Sequence, residues 1–112
     1  MKKNFNIYEL TDSNPIAETM ELGDKVYSKL EPLVKECLEN EEKFVIDFSN
    51  IKSLTTKFLN NAIGNLIINL DGEKLYGLMT FSGLDMAKKA TLRWSLNVAY
   101  ETMKLKERKL SI

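Results

Sequence analysis

FVIDFSNIKSLTTKFLNNAIGNL, residues 44–66, is the stretch on which the fold turns. Its first five residues, Phe44-Val45-Ile46-Asp47-Phe48, are β-branched, aromatic and short. Such a run reads as a strand covered on both faces, and Ser49-Asn50 breaks it. From Thr56 to Leu70 the apolar spacing predicts a helix. Residues 58–70, FLNNAIGNLIINL, hold no charged side chain, although 29% of the chain is charged. A solvated helix face normally carries Lys and Glu, which are soluble and form helices well.

Working outward, Phe5–Leu10 reads as a strand, followed by the turn formers Thr11-Asp12-Ser13-Asn14-Pro15. Residues 16–22 read as a loop or a short helical lead-in. Gly23-Asp24 opens a helix with Asp24 as its cap. Leu22, Val26, Leu30, Leu33, Val34, Cys37 and Leu38 give that helix an apolar face. Pro32 lies inside it, where a missing N–H predicts a kink or a split.

Downstream, Asp71-Gly72 makes a turn and Leu75–Phe81 reads as a strand. Ser82-Gly83 leads into a last helix over about 84–106. Met86, Ala90, Trp94 and Val98 form one apolar row on it, and Leu92, Leu96, Ala99 and Met103 a parallel one. Two rows imply a broad buried face or a break near Thr91. Alternating strands and helices are the signature of an α/β domain. The expectation is one domain over 1–112, with a small mixed sheet of about four strands and helices packed on it. Only three strands read clearly, so a fourth is sought in 11–21 or near the C-terminus.

The composition narrows the chemistry. The 16 basic and 16 acidic residues balance, so no global charge draws the chain to nucleic acid or an anionic membrane. The distribution is uneven. Residues 1–50 carry six Lys against eleven Asp/Glu, and residues 85–112 seven Lys/Arg against three Asp/Glu. No histidine and a single cysteine, Cys37, exclude Cys/His metal sites, His-based triads and an internal disulfide. Cys37 reads as a small core residue. The five glycines, 23, 64, 72, 77 and 83, are too scattered for a phosphate loop. Asp47 ends a strand, where a base or a Mg²⁺ ligand would sit in an open α/β sheet, but no second carboxylate follows in the loops at Asn50 or Ser82. The expectation is a protein that is not an enzyme, without metal or cofactor. With no signal peptide and no apolar run of spanning length, it reads as cytoplasmic.

The uncharged helix is the candidate binding element. Its polar positions are Asn60, Asn61, Gly64, Asn65 and Asn69, with Asn61, Asn65 and Asn69 spaced by four. A neutral, polar and small face suits a protein interface, whose core is depleted of charge. The bland alternative is a mostly buried helix whose Asn side chains bond to neighbouring loops. At its start, Thr55 or Thr56 is placed to cap it. A threonine there is also a candidate for phosphorylation, since free N–H groups at a helix start favour a phosphate.

The run Val45-Ile46-Asp47-Phe48-Ser49-Asn50-Ile51, with Leu54-Thr55-Thr56-Lys57-Phe58-Leu59 and Gly64 after it, resembles the STAS-like domain family of unknown function. The likeness extends over about residues 22–100. In outline it is similar to the STAS domains of anti-sigma factor antagonists. In those a serine at the start of the equivalent helix is phosphorylated by a partner kinase, and dephosphorylation restores partner binding. The resemblance implies that Asp47 matches the strand-end aspartate, that Thr56 lies at or one from the switch serine, and that Phe58-Leu59 and Gly64 match the helix. Thr56-Lys57 stands where Ser-Ser or Asp-Ser is usual, and Asn60-Asn61 where many relatives are acidic.

The expected function is therefore a regulatory docking module. It would bind a signalling protein, a kinase-like ATPase or another regulator, through Thr55, Thr56, Lys57, Asn60, Asn61, Gly64 and Asn65, with Thr56 as the candidate switch. The same face would serve a homodimer. The alternative is nucleic-acid binding by the last helix through Lys88, Lys89, Arg93, Lys104, Lys106, Arg108 and Lys109. Glu101 and Glu107 interrupt that basic face.

Overall fold

A computed structural model describes residues 3–110, with side chains as far as Glu107. Arg108 and Lys109 of the basic tail thus have side chains outside the described set.

Three parallel strands form the main sheet, in the order β1 (Lys3–Asn6), β3 (Phe44–Asp47), β5 (Met79–Ser82). Phe5 pairs with Ile46 and Ile46 with Phe81. Two short strands, β2 (Ile16–Ala17) and β4 (Ser53–Leu54), pair apart from it, also in parallel. The expected mixed sheet of about four strands is thus corrected to three parallel strands plus a separate pair. A parallel pair needs a long crossover. Here a helix supplies each one, α2 (Met20–Asn40) between β1 and β3 and the 56–69 helix between β3 and β5.

The strand order rises steadily across the sheet, and right-handed crossovers then stack their helices on one face. Burial agrees. Phe44 and Ile46 are fully buried, while Val45 and Asp47 are only partly covered. Phe44 and Ile46 share their face with Phe5 and Phe81, and Asp47 shares the other with Asn6 and Ser82. The polar face is open.

Several boundaries differ from expectation. The strand expected over Phe5–Leu10 stops at Asn6, whose side chain accepts from the Glu9 N–H at 2.9 Å and caps the helical turn α1 (Ile7–Leu10). Helix α2 starts at Met20, capped by Thr19 rather than Asp24. Gly23 sits inside it because a Cβ there would come 2.6 Å from the Phe58 carbonyl oxygen. Pro32 does not split α2 into two. The strand expected over Leu75–Phe81 is mostly helix: Asp71 caps α5 (Gly72–Leu78) through the Lys74 N–H at 3.1 Å, and β5 begins only at Met79.

The helix over 56–69 has three parts: α3 (Thr56–Leu59), a π-helical turn (Asn60–Gly64) and α4 (Asn65–Asn69). It lies between α2 and α6 (Met86–Leu110), with Phe58, Leu59, Ile63, Leu66 and Ile67 all fully buried.

Candidate functional site

Thr55 is the helix cap. Its hydroxyl oxygen accepts from the Phe58 N–H at 3.2 Å and donates to the Glu18 carbonyl at 2.6 Å. Thr56 is the first helical residue and is half-buried, while Lys57 is exposed. Of the two threonines, Thr55 is therefore spent on structure.

The Asn row follows. Asn61 donates to the Asp24 carboxylate at 3.0 Å and to the Met20 carbonyl at 3.4 Å, tying the helix to α2. Asn65 donates to the Asn61 carbonyl at 3.2 Å, and Asn69 to the Tyr27 hydroxyl at 3.2 Å. On the other flank, buried Ser95 of α6 donates to the Asn60 side-chain oxygen at 2.6 Å. These bonds explain why uncharged amides occupy a helix pressed between two others: each can donate and accept at once. Around Gly64 the chain makes an i→i+5 bond, from the Asn65 N–H to the Asn60 carbonyl. Such a turn inserts an extra residue and re-aims its neighbours.

Outside these bonds a shallow cleft of about 150 Å³ remains, lined by Asn60, Asn61, Gly64, Asn65, Ile68 and Val98. Val98 is 42% exposed, and Trp94, one helical turn before it on α6, is 66% exposed. The row Met86, Ala90, Trp94, Val98, expected in a broad buried face, is exposed, while in the parallel row Leu92, Ala99 and Met103 are buried and half-buried Leu96 packs against the core. Sequence reasoning placed the site on one helix and missed Trp94 and Val98. Their spacing of four fits a core row as well as a surface one, and only the choice of α6 face separates the two.

Asp47 has a structural role. Its Oδ1 accepts from the Ser49 hydroxyl at 2.7 Å, the Ser49 N–H at 3.0 Å and the Ser82 hydroxyl at 3.1 Å, while Asn6 reaches Oδ2 at 3.4 Å. The carboxylate thus joins the ends of all three main strands. The Ser49 hydroxyl above all, with the other donors, holds its pKa below the usual carboxylate value against the opposing effect of burial. Gly83 takes φ +73° against this cluster, where a Cβ would come within 2.6 Å of Asp47 Oδ1. Cys37 is fully buried, and burial raises its thiol pKa.

The cations of α6 divide between faces. Lys88 is held by Asp85 at 2.9 Å. Lys89 and Arg93 stand at a groove beside β5. On an ideal helix at about 100° per residue, Lys88 and Lys106 point away from Arg93. No described helix is long and apolar enough to cross a membrane.

A family model described as a STAS-like domain of unknown function matches residues 23–89, from α2 into the first turn of α6. No curated protein and no solved structure is similar enough to this chain to count as a match.

Proposed function

The chain belongs to the STAS-like domains of unknown function, and from that premise we propose that it is a non-catalytic regulatory module that docks a signalling protein. The docking face joins the outer side of the 56–69 helix to the neighbouring side of α6. The observation that carries this reading is a cleft lined by the uncharged Asn60, Asn61, Asn65, Ile68 and Val98, with exposed Trp94 one helical turn before Val98 on α6. An exposed tryptophan near a cleft of neutral polar groups suits an interface, whose energy concentrates on aromatic anchors and whose core is depleted of charge. The π turn at its middle adds support, since such turns recur at functional sites.

The partner is a protein, and the likeness to anti-sigma factor antagonists favours a kinase-like ATPase. Thr56 is the candidate switch, because Thr55 is committed to the cap. A phosphate on Thr56 would add about −2 charge at the edge of a neutral face, next to Lys57. Nucleic-acid binding by α6 is less favoured, because Lys88 is paired and, with Lys106, lies on a different side of the helix from Lys89 and Arg93.

The test is affinity capture from the native host with wild type and Asn61→Arg as baits, each shown to be folded by circular dichroism, with phosphosite mapping. The reading expects a partner at least tenfold depleted from the variant, and phosphate, where present, on Thr56. An unchanged set of captured proteins would overturn it.

A further inference from the structure

On the far side of α6 from the Asn patch, β5 has β3 on one flank and no described strand on the other. Along that open edge runs a groove of about 480 Å³. Met79, Thr80 and Phe81 all line it. Successive side chains of a strand point to opposite faces, so a groove touching three in a row lies against the strand's edge and not on a face of the sheet. The opposite wall is α6, through Leu92, Leu96 and Tyr100. A strand edge facing an apolar helix is the geometry that accepts an added strand from a partner chain.

The two ends differ in chemistry. Tyr76 and Tyr100 pack edge to face, 6.1 Å between ring centres, and the Tyr100 hydroxyl reaches the Gly72 carbonyl at 3.3 Å. They mark the end where β5 begins. Near its other end stand Lys89 and Arg93, which pair with no carboxylate among the described residues. We propose that this groove binds an extended peptide, about four residues at ~3.3 Å each, that adds to β5 as a fourth strand. Its side chain at the tyrosine end is apolar, and an acidic residue at the other end meets Lys89 and Arg93. The main-chain bonds give affinity and the two ends give polarity.

The inference does not depend on the docking face above, because α6 separates the two surfaces. The probe is a phage-displayed library of random octapeptides, selected against the full chain. The expected consensus has apolar residues at alternate positions and an acidic residue at one end. The best synthetic peptide should protect the β5 amides from hydrogen exchange, lose at least tenfold in affinity with Arg93→Glu, and bind the Trp94→Arg variant normally. N-methylation of the peptide's β5-facing amides should also abolish binding while leaving its side chains intact. Absence of a consensus, a consensus without an acid, or affinity indifferent to Arg93→Glu would overturn the proposal. So would a chain whose β5 edges pair with each other in a homodimer, seen as doubled mass by sedimentation.

Discussion

Two adjacent threonines, Thr55 and Thr56, have different work, and the difference is measurable. Thr55 bonds both the Phe58 N–H and the Glu18 carbonyl, so Thr55→Ala removes a cap and should destabilise the fold by about 1 kcal/mol. Thr56→Ala should change stability by less than half of that, read by urea unfolding of both variants. Asp47 carries a pH signature. Its pKa is lowered in the fold by the Ser49 hydroxyl first, then the Ser49 N–H, Ser82 and Asn6. Its contribution is therefore present above the unfolded value of about 3.9 and is lost as pH falls through the lower folded value. Asp47→Asn should flatten the acid limb of the stability curve. An acid limb identical to wild type would show that Asp47 does not bind the strand ends in the way its hydrogen bonds imply.

Among the elements, the helices next to the site are packed to different tolerances. A Cβ at Gly64 would meet Ala99 at 3.6 Å and Leu59 O at 3.7 Å, ordinary contact distances. Gly64→Ala should therefore raise stability by roughly 0.5–1 kcal/mol. Gly23→Ala should lower it clearly, because α2 approaches the Phe58 carbonyl too closely for a methyl group. Thermal melts of the two variants should move in opposite directions. The sequence made β3 and the 56–70 helix, with its uncharged run over 58–70, legible, since each has a strong pattern of its own. It hid α5 because Leu75, Leu78 and Met79 read equally as strand, and only Asp71 ahead of Gly72 and Glu73 signals a cap. It hid β2 and β4 because two residues make no pattern. The π turn leaves no periodicity to read, since Asn60–Gly64 spans barely one turn. Trp94 and Val98 read as part of a broad buried face, or as the mark of a break near Thr91, because an apolar row does not say which neighbour it lacks.

Across the whole molecule, all crossovers stack on one side of a three-strand parallel sheet, so α6 stands at the flank of the 56–69 helix and at the open edge of β5. One helix thereby borders two surfaces of opposite character, a neutral patch with Trp94 and a groove with Lys89 and Arg93. The regulatory reading rests on the neutral one. Its most direct measurement places a photo-crosslinking amino acid at Val98, 42% exposed at the centre of the patch, and a control at Glu36, exposed on α2. In host cells the account predicts one heterologous protein crosslinked from position 98, suppressed by Asn61→Arg, and not crosslinked from position 36. Crosslinks from position 98 to nothing, to a second copy alone, or to the same proteins as position 36 would contradict it.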